Sequence, residues 1–244
     1  MIVLFTDFGT CDPYVGQVKA RIAQLAPNEL VVDLLHEVPP FNAHAGAHLL
    51  AAFAPHFPPA CVFLGVVDPG VGGARDAVVV TAGARWFVGP DNGLFSVWAA
   101  RAGDTKIWRI TWRPPQLSAS FHGRDLFAVV AADIARGAFP QEKLVAVERL
   151  GVEFDAGDLA RILYVDHYGN AWTGVRASAV PPNARVLVAG HTIPPGEGYP
   201  FVGKGEAFWF ANSVGLVEIA ANRDSAARRL GLEVGDRVTV QRPN

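Results

Sequence analysis

Apolar and polar positions fall into short blocks along the first 150 residues, and the blocks define elements. "IVLFT" (Ile2–Thr6) is apolar and rich in β-branched and aromatic residues, which predicts a buried strand. It runs into the turn "DFGTCDP". Val15, Val18, Ile22 and Leu25 then recur at helical spacing, with Pro27 as the stop. "LVVDLL" predicts a second strand. "FNAHAGAHLLAAFAPHF" predicts a helix with Asn42 as its N-cap, and "CVFLGVV" a third strand. Strands alternating with helices predict a parallel α/β layer. "AVVVTAGARWFVG" adds a hairpin, and "GRDLFAVVAADIARG" a helix that ends in glycine.

The rhythm changes at Gly151–Asp158, where "GVEFDAGD" is polar and bears glycines. Beyond it come short apolar pieces between turns: "ARILYVDHYGNAWTGV", "ARVLVAG", "AFWFANSVGLVEIA" and "GDRVTVQ". Only "SAARRLG" has a helical look. Short strands at regular spacing predict a small sheet or barrel. The expectation is an α/β protein of two domains. Residues 1–152 form a sandwich-like α/β domain with a largely parallel central sheet. Residues 159–244 form a smaller, β-barrel-like domain.

Composition narrows the function classes. With 244 residues, half of them hydrophobic, the chain can bury one or two cores. Its net charge of −2, without a Lys/Arg-rich block, speaks against a nucleic-acid groove or an anionic membrane surface. Cys11 and Cys61 belong to no CxxC pair, so a reducing compartment is expected. "MIVLFTDFG" has no basic region and reaches an Asp within seven residues, which reads against a signal peptide. No apolar run matches the length of a bilayer span. A soluble, cytoplasmic protein is the expectation.

Four segments carry candidate chemistry. "DPGVGGARD" is glycine-rich but is not GxGxxG and lacks GK[ST]. The β-branched "AVVV" after it predicts a strand, whereas a phosphate cradle needs a helix N-terminus. A Gly/Pro turn explains the glycines but leaves two charges unexplained: Asp68 closing the third strand and Arg75 opening the next. Asp7 closes the first strand in the same way. Carboxylates at the C-terminal edge of an α/β sheet lie where ligands bind, and one there can accept both ribose hydroxyls. In "SASFHGRDLF", His122 stands just before a predicted helix. Either it or Ser120 caps that helix, or its imidazole is a titratable group at the mouth of the sheet. "YVDHYGNAW" is readable as a plain hairpin turn. His44 and His48 lie four apart with His56 nearby, but no HExxH glutamate or cysteine partner accompanies them, so no metal site is expected. No GxSxG occurs.

Taken in order, "TDFG…PYVGQVKA", "VVDPGVG…R", "VGPDNG", "SFHGRDLF", "YVDHYGN" and "EIAANRDSAARRLG…VGD" resemble the S-adenosyl-L-methionine (SAM) hydroxide adenosyltransferases. These adenosine-forming SAM hydrolases are relatives of the fluorinase and chlorinase, and the likeness spans nearly the whole chain. It implies an α/β domain followed by a β-barrel-like domain. It also implies a homotrimer, with each site between one subunit's first domain and a neighbour's second. The implied reaction is attack of water or hydroxide on the ribose C5′ of SAM, giving adenosine and L-methionine. SAM is the substrate, and no cofactor is implied.

The family's Asp-Arg-His set falls on Asp68, Arg75 and His122. Asp68 and His122 would orient and polarise the water, while Arg75 pairs with the carboxylate. Asp7 matches the residue that binds the ribose hydroxyls. Phe41 and Phe121 match aromatics near the sugar and the reacting centre. Asp166 would accept the methionine ammonium, Asn170 would contact adenine, Ser213 would bind the methionine carboxylate, and the backbone at Arg223 would meet the adenine edge. The chain departs from the fluorinase at Val214, where the relative has Arg, which shifts carboxylate recognition toward backbone groups. The halogenases carry Tyr in place of Asp68, and a halide-contacting Ser in place of Gly123. A carboxylate at 68 repels a halide. The alternatives are a SAM-dependent halogenase and a non-catalytic SAM or adenosine sensor.

Overall fold

The computed structural model describes residues 1–242; the last two residues of the predicted 159–244 domain lie outside the described residues. The chain divides into two compact units, Met1–Ala156 and a second that begins at Gly157.

The first unit runs β1 (Ile2–Thr6), α1 (Tyr14–Leu25), β2 (Val31–Leu35), α2 (Ala43–Phe53), β3 (Val62–Val66), β4 (Ala77–Ala82), β5 (Arg85–Pro90), α3 (Ser96–Ala102), β6 (Lys106–Ile110), α4 (Ala128–Ala135) and β7 (Leu144–Val147). Its seven strands form one sheet, ordered β2-β1-β3-β5-β4-β6-β7. The pairs from β2 through β1 and β3 to β5 are parallel. The pairs β5-β4, β4-β6 and β6-β7 are antiparallel.

β1 and β3 are buried along their whole length, as strands covered on both faces should be. On one face, Val18 and Ile22 of α1 pack with the buried side of α4 against Leu4, Leu64 and Val79. Each such aliphatic side chain contributes roughly 1.5–3 kcal/mol. Asn42 caps α2 as expected: its Oδ1 accepts the Ala45 N–H at 2.9 Å. From β1 the chain crosses to β2 on one side and then to β3 on the other. The strand order therefore reverses between β1 and β3, and the crevice beyond their C-terminal ends is the place where such sheets bind ligands.

The second unit runs β8 (Leu159–Val165), β9 (Ala171–Arg176), β10 (Arg185–Val188), β11 (His191–Ile193), β12 (Ala207–Ala211), β13 (Leu216–Ala221), α5 (Ala226–Leu230) and β14 (Val238–Gln241). Its sheets are β12-β13-β9-β8 and β11-β10-β14. Every ladder in them is antiparallel. Val186, Val188 and Val238 from one sheet share a core with Ile162, Trp209, Val217 and Ile219 from the other. Bridges at Arg161–Arg237 and Pro195–Trp209 join the two sheets, which gives the barrel-like form. Among the described residues no helix is long and apolar enough to cross a membrane.

Candidate active site

Asp7 and Asp68 come to the same crevice because the strands ahead of them are in parallel register, Thr6 opposite Val66. The Asp7 N–H donates to the Val66 carbonyl at 3.2 Å, which joins the two strand ends. Asn92 of "VGPDNG" donates from Nδ2 to the Val67 carbonyl at 2.7 Å and fixes the residue just ahead of Asp68.

The glycine-rich stretch after Asp68 is a tight double turn. Val71 N–H donates to the Asp68 carbonyl, and Gly73 N–H to that of Gly70. Gly72 has φ +76°, and a Cβ there would stand 2.3 Å from the Ala119 carbonyl oxygen. Only glycine meets both conditions. The turn returns Arg75 to Asp68. Nε donates to Oδ1 at 2.9 Å, and Nη2 donates to Oδ2. This two-pronged pair is nearly dry, with the Asp68 side chain 4 % exposed. The guanidinium also lies over the Phe127 ring, 5.3 Å from its centroid.

His122 completes the set, with Nδ1 3.0 Å from Arg75 Nη2. Arginine has no acceptor, so Nδ1 must accept, and a neutral ring then carries its proton on Nε2. Burial, and next the Arg75 charge, lower the His122 pKa below its ordinary 6.5. Its side chain makes no cap bond to the helix that follows, so capping does not account for it. That helix opens with one π-turn, Gly123–Phe127, in which the Ala128 N–H reaches back five residues to the Gly123 carbonyl.

Asp7, Phe41, Asp68, Phe121, His122 and Gly123 line one cavity of about 360 Å³. Arg75 stands behind it. Burial raises the Asp7 pKa, opposed by the Phe41 N–H that Oδ2 accepts at 3.0 Å, and the Asp68 charge adds to the rise. Phe41 has φ +63° and is 76 % exposed, and its backbone N–H is fixed by Asp7. Phe8, Asp12 and Tyr14 also line the cavity and were not singled out from the sequence. Phe8 and Tyr14 lie within motifs that were, and both pack edge-on against Phe121.

The remaining candidates belong to the second unit. Asp166 closes the hairpin turn between β8 and β9: Oδ1 accepts the N–H groups of Tyr168 and Asn170, and Oδ2 accepts Asn170 Nδ2 at 3.0 Å. Asn170 and Arg223 line a hollow of about 470 Å³ with Tyr168 and Tyr199. Arg223 has φ +56°. Ser213 is exposed on the β12–β13 turn and does not line this hollow. Asn212 shapes that turn through Oδ1, which accepts the N–H groups of Val214 and Leu216. His44 and His48 lie with ring centroids 5.3 Å apart, and His44 stacks on Phe154. Among the described residues no group of three or more His, Cys, Asp or Glu could hold a metal.

Comparison with known proteins shows the family to which the chain belongs. Residues 2–144 match the SAM hydroxide adenosyltransferase N-terminal domain, and residues 160–239 match the corresponding C-terminal domain. The (R)-S-adenosyl-L-methionine hydrolase of Salinispora tropica is 39% identical over 256 residues, covering 96% of this chain and 95% of its own. A crystal structure of an uncharacterized conserved protein from Thermotoga maritima superposes with a TM-score of 0.89 at 32% identity, covering 99% of this chain and 100% of that one. The fluorinase of Actinopolyspora mzabensis is more distant, 25% identical over 99% of this chain and 97% of its own.

Proposed function

The chain belongs to the SAM hydroxide adenosyltransferase family, and from that premise we propose that it hydrolyses S-adenosyl-L-methionine to adenosine and L-methionine. The preferred form is the (R) one that its relatives are named for. The observation that carries this reading is the dry contact of Asp68, Arg75 and His122 at the back of a cavity edged by Asp7.

The chemistry is a displacement at carbon. The water oxygen bonds to C5′ as the C5′–S bond breaks, and the electron pair of that bond leaves with sulfur. A sulfonium becomes a neutral thioether and needs no acid. The difficulty lies in the nucleophile, since water has a pKa of about 15.7. One lone pair on each Asp68 oxygen faces Arg75, and the other is available to accept from water. His122 offers an Nε2–H donor. Together they would hold the water in line with the C5′–S bond, with orientation contributing as much as polarisation. The proton leaves to solvent, so each turnover releases one. Asp7 would hold the ribose hydroxyls. Asp7 and Asp68 also place negative charge near the substrate cation. A carboxylate at position 68 disfavours halide entry, so the site is read as hydrolytic and not halogenating. No cofactor is required.

In the second unit, Asp166, Asn170, Ser213 and the Arg223 backbone would receive the amino-acid and adenine ends of the substrate. The candidates thus form two sets, one in each unit. This supports a homotrimer in which one subunit's first unit meets a neighbour's second. We place the reaction in the cytoplasm, in keeping with two free cysteines, one buried and one exposed.

Incubating the protein with each sulfonium epimer of SAM, followed by chromatography, tests the reading. Equal amounts of adenosine and methionine, with one proton released per turnover in a pH-stat, are expected. A 5′-halo-5′-deoxyadenosine product in the presence of chloride or fluoride would favour the halogenase. Tight adenosine binding without methionine release would favour a sensor.

A further inference from the structure

Glu218 lies mid-strand in β13 and is 4 % exposed, an unusual place for a carboxyl group. Register shows which way it faces. Val217, Ile219 and Ala221 enter the barrel core, so Glu218 is on the other face of the sheet. Its directly opposite neighbours are Phe210 on β12 and Trp172 on β9. Two residues along from each, on the same face, stand Asn212 and Asn170. Asn212 Nδ2 is buried and makes no well-formed hydrogen bond. The group beside it is the Glu218 carboxyl, whose ionised form the amide favours. Asn170 donates to Asp166 and lines the same hollow as Tyr199. Glu218 therefore lies between Asn170, which is assigned to the substrate, and Asn212, which precedes Ser213, although nothing in the sequence pattern had marked it.

We infer that Glu218 is a positioning and specificity residue: its carboxyl group stands beside Asn212, at the foot of the turn bearing Ser213, and it places a second negative charge behind Asp166 for the substrate's α-ammonium group. This rests on the substrate assignment proposed above. The titratable groups facing Glu218 are Asp166, Tyr199 and, one strand beyond Trp172, Tyr164. Burial raises the Glu218 pKa to about 7, and the Asp166 charge adds to the rise. A cation arriving between the two carboxylates reverses part of that cost. By linkage, binding it expels the Glu218 proton, and raising the pH toward 7.5 tightens binding.

The test compares KM and kcat of the wild type and the isosteric Glu218→Gln between pH 6.0 and 7.5. The substrate's own amino group titrates identically in both proteins. In the wild type, KM should fall about 3–10-fold across this range while kcat changes little, as expected for a group that acts on binding alone. In Glu218→Gln, KM should stay flat near its pH 6 value. A pH response of KM that persists in Glu218→Gln would overturn the inference. Calorimetry of L-methionine binding to the wild type, in buffers of different ionisation enthalpy, decides the matter even if the variant folds poorly. A fraction of a proton released at pH 7 supports the inference, and none released overturns it. Absence of adenosine from wild-type reactions would instead overturn the hydrolase reading, a result distinct from either.

Discussion

In the first unit, Asp68 is held by a guanidinium seven residues further along, across a glycine turn, in a nearly dry contact. In the second, Asp166 is held by the N–H groups and side-chain amide of its own turn. The first arrangement sets charge against charge and leaves a polarised pocket at a sheet edge. The second spends its acceptors on local geometry and presents a shaped surface. The contrast separates work on the reacting atoms from recognition of the rest of the substrate. Substitutions in the Asp68–Arg75–His122 set should therefore act on kcat, and those around Asp166 on KM.

Arg75 is where the contrast should break most visibly. Arg75→Ala strands Asp68 as a buried, unpaired charge and takes the donor from His122 Nδ1, which should cost about 3–5 kcal/mol of unfolding free energy in a denaturant titration. Arg75→Lys keeps the charge but not the fork, and should recover only part of the loss. A wild-type unfolding curve for Arg75→Ala would show that the pair does not hold the turn. Next comes Asp68→Asn, expected to lower kcat by about 100-fold or more with a much smaller change in KM. Equal losses in both constants would erase the proposed division of labour.

Asp166→Ala sharpens it from the other side. KM should rise about 10-fold with kcat nearly kept, as expected for lost uniform binding, and steady-state kinetics reads both. The smallest effect is the protonation of His122. Burial and Arg75 favour the neutral ring, so it stays neutral below pH 6.5 and charges only as the pH falls further. An NMR titration of the ring should give a midpoint under 6.5, and kcat should decline only below it. A midpoint above 6.5 would mean that the Asp68 charge outweighs both influences.

Much of this was legible because strand ends and turn residues are punctuated by sequence. Ile2–Thr6 and Val62–Val66 read as strands because both faces are covered, and the aspartates after them follow directly. Gly70, Gly72 and Gly73 mark the turn that returns Arg75. Other parts had no local mark. The seven residues of α3 and the four of β7 are too short to establish a period. Lys106–Ile110 (β6) is largely half-exposed and takes its form from pairing with β4 and β7. Glu218 read as one polar residue in an apolar run. Its meaning comes from cross-strand register, which sets Asn212 and Asn170 beside it.

The π-turn at Gly123–Phe127 has a consequence for how this site can change. A helix with one residue too many is a deletion waiting to happen. Losing a single position would restore regular α-helical bonding through Ala128 and improve the helix. The same loss would swing everything upstream by about 100° around the helix axis, carrying His122 off Arg75. The gain to the helix and the loss to the site pull in opposite directions. Shortening this segment by one residue should therefore yield a protein that melts no lower than its parent and turns over no substrate.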